Sequence, residues 1–235
     1  MLLTRTQKGI MAALAAIAVG VGIYSLLHKP ATKTTCVALD VTNPQLAGIY
    51  NSELRSIVRR ASQDGSRVKI LPFAGSPKSE SYPILGMFDQ VPENARRREM
   101  SRVLHTVDDE VLDLKSGGPQ NRRQPGSGIL EALDKTVQGS GCNGGLEALT
   151  DGLEGRDFDV YHADFVTNTG LKDLVDKLND SHALPNLGDI TVSMPYGGVV
   201  PQGSVIARDP HRIAALQPLF VRIIEESGGH LKWGE

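Results

Sequence analysis

Apolar residues form one long unbroken run near the start of the chain and then break into short segments whose spacing alternates between strand and helix periods. The long run, IMAALAAIAVGVGIYSLL at 10–27, holds 18 residues without a charge. At a 1.5 Å rise per residue it covers about 27 Å, close to the hydrocarbon thickness of a bilayer. The pattern predicts a membrane-spanning helix over 10–27, with a short tail at 1–9 before it and the polar linker HKPATKT at 28–34 after it. A cleavable signal peptide is the rival reading. Its apolar region would be shorter, and SLLHKPATKTT offers no small-x-small cleavage site. Nor is KTTC, ahead of Cys36, the small apolar sequence that lipidation of a cysteine needs.

Beyond the linker the pattern predicts one α/β domain over 35–235. TCVALDV is a β-rich apolar run; Leu46, Ile49, Tyr50, Leu54, Ile57 and Val58 then recur at helical spacing, and DGSRVKILPF supplies a second strand. Strand, helix, strand in that order argues for a mostly parallel, doubly wound sheet with crossover helices on both faces. A long excursion follows over about 74–125. It begins with AGSPKSESYPILGMFDQVPEN, rich in Ser, Pro and Gly, contains a helix from Arg96 to Lys115, and ends in the loop SGGPQNRRQPGSG. ILEALDKTV carries Ile129, Leu130, Leu133 and Val137 along one helical stripe. DVYHADFVTNTG reads as a buried strand with a polar, Gly-ended exit, LKDLVDKLN as a short amphipathic helix and DITVSMPYGG as another strand. DPHRIAALQPLFVRIIEESGG is a long helix in which Pro218 marks a kink or a boundary, and HLKWG is a last edge strand.

Charge narrows the function. Residues 1–27 hold Arg5 and Lys8 and no acid, so of the chain's 25 Lys and Arg and 27 Asp and Glu, 23 and 27 remain, a formal charge of −4 for the rest. General nucleic-acid affinity needs clustered positive charge, and this balance argues against it. The basic cluster ARRREMSR reads as a solvated helix face, and NRRQ at 121–124 is the only other one of note. Lys and Arg flank the 10–27 run almost equally, so orientation rests on the short N-terminal tail, which favours N-in and C-out. In a bacterium that is a single-pass inner-membrane protein with its domain in the periplasm. Cys36 and Cys142 could pair in an oxidising compartment, and sequence leaves that open.

Several familiar sites are excluded by context. GSGCNG at 139–144 matches G-x-G-x-x-G, but it leaves a helix where a dinucleotide loop must leave a strand, so its glycines read as a helix stop and connector and no nucleotide is expected. QPGSGI lacks the G-x-S-x-G spacing of an α/β-hydrolase nucleophile. The six histidines are scattered without an H-x-x-x-H pair.

Asp40, at the end of the first strand, keeps three readings. As a nucleophile it would belong to a phosphatase of the haloacid dehalogenase type, but Thr42 stands where the general acid is needed. As a structural residue it would, with Thr42, cap the following helix. As a metal ligand it would fit a resemblance. DVTNP, then Ser127 just before a helix, then Thr167 and Asn168 in FVTNTG resemble the metal-ion-dependent adhesion site of von Willebrand factor A-type domains, whose pattern is D-x-S/T-x-S on the first strand, a later hydroxyl, and T-D-G ending the fourth strand. The resemblance covers most of 35–235 and extends to membrane-anchored bacterial relatives whose first motif reads D-x-T-x-P. It implies a non-enzymatic protein-binding or assembly module of the cell envelope. Asp40, Thr42, Ser127 and Asn168 would hold a weakly bound Mg²⁺ or Mn²⁺, with one position open for a partner's carboxylate. Pro44 stands where a second serine is expected and Asn168 where an aspartate is, which leaves one anionic ligand.

Overall fold

The computed structural model describes residues 32–42, 45–75, 82–116, 128–139, 141–155, 158–200 and 204–234. The 10–27 run and Ser127 lie outside these residues, as do Asn43 and Pro44. Among the described residues no helix is long and apolar enough to cross a membrane.

The chain runs β1 (Thr34–Asp40), α1 (Ala47–Asp64), β2 (Arg67–Phe73), β3 (Ile84–Met87), α2 (Arg96–Ser116), α3 (Ile129–Val137), β4 (Leu146–Leu149), α4 (Asn168–Asp180), β5 (Thr191–Met194), α5 (Pro210–Glu226) and β6 (His230–Trp233). The strands form one sheet in the order β3-β2-β1-β4-β5-β6. All neighbours are parallel except β2 and β3. The α/β class and the mostly parallel sheet are as expected from the alternation of periods.

Alternate residues of β1 show why both faces are covered. Cys36 and Ala38 belong to an apolar cluster with Ile129, Leu133, Val175, Leu219 and Phe220, which draws in α3, α4 and α5. Val37 and Leu39 belong to a second cluster with Tyr50, Leu54, Ile57, Val103 and Val107, which draws in α1 and α2. A strand buried on both sides must be apolar at every position, and VAL at 37–39 meets that requirement.

Cys36 and Cys142 form a disulfide with their Cα atoms 5.5 Å apart across a sequence separation of 106. It closes the alternative left open by sequence and ties the amino end of β1 to the segment that leads into β4.

Two expectations fail locally. The stretch PILGM inside the excursion is not loop: Ile84–Met87 adds the antiparallel edge strand β3, paired with β2 from Arg67↔Met87 to Ile70↔Ile84. DVYHADFV is not a strand. The Asp159 carboxylate accepts from Tyr161 N at 2.9 Å and pairs with His162 Nδ1 at 2.6 Å, and its carbonyl accepts from His162 N and Ala163 N. These local bonds fold the segment into turns, in competition with any sheet ladder. Arg212 then fastens the turns from α5, donating Nη1 to the carbonyls of Val160 (2.9 Å) and Ala163 (2.6 Å), with its guanidinium 5.0 Å from the Phe165 ring centre. The strand beside β1 is instead LEAL, Leu146–Leu149, four residues directly behind the glycines read as a connector. Pro218 lies inside α5 with its ring exposed, and the helix runs through it.

Candidate functional site

β1 is the strand at which the sheet order reverses, with β2 on one side and β4 on the other. In open α/β sheets the crevice at the carboxyl ends of such strands is where ligands bind. Asp40 is the last residue of β1 and stands at that point, only 2% exposed.

Its two carboxylate oxygens join two different loops. Oδ1 accepts from Thr42 N at 2.9 Å, and Oδ2 accepts from Thr150 Oγ1 at 3.0 Å. Thr42 Oγ1 in turn accepts from Gly75 N at 3.3 Å, at the exit of β2. The Gly75 carbonyl accepts from Gly128 N at 2.7 Å, immediately before α3. Loops after β1, β2 and β4 and the start of α3 therefore meet at one edge. α1 begins at Ala47, its N-cap position is Leu46 with no side-chain cap, and the Asp40 oxygens face Thr42 and Thr150.

The contribution from β4 is also different from the one expected. Asn168 does not end a strand; it opens α4, whose N-cap Thr167 accepts from Gly170 N at 3.0 Å. The residues that leave β4 toward Asp40 are Thr150, Asp151 and Gly152, which read T-D-G without substitution. The signal was present in the sequence, hidden behind a strand too short and too glycine-flanked to stand out. Asp151 is 5% exposed; its Oδ1 accepts from Leu153 N at 3.0 Å and its carbonyl from Gly198 N at 2.9 Å. Its charge is felt nearby: burial first, then Asp151 and Asp40, push the Tyr50 phenol far above its ordinary value, and burial followed by Asp151 and Asp159 raises Tyr161.

Glu154, two residues past the glycine of T-D-G, was singled out by no sequence pattern. Fully buried, it accepts at Oε2 from Ile129 N (2.6 Å) and Leu130 N (3.2 Å), and at Oε1 from Gly155 N (2.8 Å). It caps α3 from another loop, placing a carboxylate where free amides and the helix dipole favour one.

Gly152 has φ +80°, and a Cβ there would lie 3.3 Å from Trp233 and 3.4 Å from Phe220. Gly152→Ala should therefore cost about 1–3 kcal/mol of stability, read as a lower urea midpoint at unchanged slope, since both the backbone region and the space favour glycine.

Two carboxylates and two hydroxyls at this edge, Asp40, Asp151, Thr42 and Thr150, are hard oxygen donors of the kind that suits Mg²⁺ or Mn²⁺ better than zinc. Among the described residues no three His, Cys, Asp or Glu side chains gather as a metal set, so a cation here would rely on hydroxyls and retained water. The chain matches no protein-family model, no curated protein and no solved structure.

Proposed function

We propose that the domain is a partner-binding module of the von Willebrand A type, non-enzymatic, in which a divalent cation held at the Asp40 edge offers an open position to an acidic side chain of another protein. The observation that carries the reading is the Asp40–Thr150 hydrogen bond at 3.0 Å, which brings an intact T-D-G from β4 to the D-x-T of β1. With Asp151 in place of Asn168, the set has two anionic groups where the sequence reading found one.

Exposed apolar side chains support a protein partner. Ile49 lies in the first turn of α1, Tyr82 precedes the antiparallel β3, Val166 precedes α4, and Val199 and Val205 lie between β5 and α5, all at the carboxyl edge of the sheet. Leu112 joins them near the end of α2, where Val111 and Lys115 line a cavity with Asp40. Leu85, on β3 itself, is the exception. Exposed apolar side chains gathered on one edge are a mark of docking surfaces, whose cores are apolar and whose rims are polar. The Cys36–Cys142 disulfide supports an oxidising compartment, and with the 10–27 run as a single-pass anchor the proposal places the domain at the bacterial inner membrane facing the periplasm. The phosphatase alternative needs a general acid where Thr42 stands, so no observation favours that reading.

The test is thermal unfolding of the full-length chain in non-ionic detergent, in EDTA and then with Mn²⁺ or Mg²⁺. At a hundredfold excess over Kd, linkage gives about 2.7 kcal/mol, or a rise of about 5–10 °C. The rise should vanish in Asp40→Ala and in Asp151→Ala. No rise in the wild type, with either cation at millimolar concentration, would remove the metal from the proposal.

A further inference from the structure

Parallel sheets are almost always covered by helices on both faces. In this domain half of one face is bare. Register sets Val37, Glu147, Ser193 and Lys232 side by side across β1, β4, β5 and β6, on the face that carries α1 and α2. Those two helices pack over β1, β2 and β3, and among the described residues none of β5 or β6 belongs to the apolar cluster beneath them. α3, α4 and α5 lie on the opposite face, against Leu146, Ala148, Val192 and Met194. Alternation along the last three strands matches: on the bare side they present Glu147, Thr191, Ser193, His230 and Lys232, all polar and none buried. An open groove of about 820 Å³ runs along Lys33, Glu147, Thr191, Ser193 and Lys232. Neighbouring strands are about 4.8 Å apart, so Glu147 and Lys232 stand about 10 Å from each other with Ser193 between them. Neither side chain has an ion-pair partner among the described residues.

We propose that this half-face is the interface of a two-fold dimer, covered by the same half-face of a second copy of the chain. The charge pattern selects that occupant. Read across the strands it is negative at Glu147, neutral at Ser193 and positive at Lys232. A two-fold axis parallel to the strands and passing over Ser193 reverses the order in the second copy, so Glu147 lies opposite the partner's Lys232 and Lys232 opposite the partner's Glu147. Shape agrees with charge. α1 stands over β1 and β2 as a wall beside the bare strands, and β6 is the free edge of the sheet. Facing copies place each wall beyond the other's β6 edge, so the two ledges interlock and the helices do not collide. The same axis leaves Thr34, where β1 begins, on one side of both copies, as the anchor reading of 10–27 requires of two chains in one membrane. Tethering there raises the effective concentration, so a small polar interface is enough. Both Asp40 edges then point the other way, and the dimer itself needs no cation at either.

Charge exchange tests the dimer, with the full-length chain weighed by sedimentation equilibrium in density-matched non-ionic detergent at micromolar concentrations. The wild type should sediment as a dimer. Glu147→Lys and Lys232→Glu each set like charges opposite one another twice, and each should weaken association about tenfold or more. Ser193→Asp, which puts two carboxylates face to face on the axis, should do the same. Combining Glu147→Lys with Lys232→Glu restores opposite charges across the axis and should return the affinity to near the wild-type value, an outcome that a general loss of folding does not produce. All four variants should melt within about 3 °C of the wild type, because the substituted side chains are not buried. A monomeric wild type would overturn the proposal and leave the half-face to solvent or to a different protein. A dimer indifferent to both single exchanges and to Ser193→Asp would overturn it by placing the contact elsewhere. Single exchanges that dissociate the dimer without recovery in the double exchange would overturn it too, because Glu147 would then not lie opposite the partner's Lys232.

Discussion

Replacing both Cys36 and Cys142 by alanine should lower the unfolding free energy by about 4–5 kcal/mol and the melting temperature by about 10–20 °C. The loop closed by the bond spans 106 residues, nearly half the chain, so its loss releases a large conformational freedom in the unfolded state. Position strengthens the effect. Cys36 sits near the start of β1, the central strand, and Cys142 stands just before β4, its neighbour, and both are buried in the core shared with α3, α4 and α5. At the other end of the same strand pair, Asp40 accepts from Thr150. The two central strands are thus tied at both ends, covalently at one and by a buried hydrogen bond at the other. Calorimetry with and without a phosphine reductant checks the argument: the wild type should lose its upper transition on reduction and the double variant should not respond. A wild type whose melting temperature moves by less than two degrees on full reduction would show that sheet packing alone holds the pair.

How much of this could be read from residues alone depended on length and regularity. The apolar stripes of α1, α2, α3 and α5 repeat over several turns, and each helix lies where its stripe places it, including Arg96–Ser116 and Ile129–Val137. β1 and β2 are seven residues each and carry the apolar runs CVAL and ILPF, so they too were visible. β3 and β4 are four residues each, and in the sequence they lie beside Pro, Ser and Gly that read as loop. A strand of that length gains its identity from its neighbours: Leu146 and Ala148 become strand because Cys36 and Ala38 lie beside them. Losing β4 shifted the site. With the strand misplaced to DVYHADFV, the T-D-G at 150–152 was passed over and Asn168 stood in for Asp151. Asp40 and Thr42 were found correctly as neighbours at a strand exit, because the β1 signal was strong enough to fix where it ends.

Glu154→Ala should cost about 3 kcal/mol and lower the melting temperature by about 6–12 °C, the second large effect expected of this domain. The glutamate is fully buried and serves three backbone amides, two of them in the first turn of α3. Helices begin with amides that have no partner within the helix, and α3 has Gly128 at its N-cap, which offers no side chain for the purpose. Removing the carboxylate leaves the amides of Ile129 and Leu130 without an acceptor in a region with 0–1% exposure, where water cannot readily replace it. Glu154→Gln keeps one acceptor oxygen but removes the charge and turns an NH₂ toward backbone donors, so its cost should be smaller, about 2 kcal/mol. Amide hydrogen exchange at Ile129 and Leu130 is the direct measurement, and both should exchange faster in Glu154→Ala than helices α1 and α5. Exchange at wild-type rates would mean the first turn of α3 holds itself. The consequence for function follows from connectivity. Gly128, whose amide is bonded to Gly75, precedes α3, and Gly75 is bonded to Thr42 beside Asp40. If the Asp40 edge holds a cation as proposed, a loosened first turn should also weaken Mn²⁺ binding, although Glu154 itself spends its oxygens on amides.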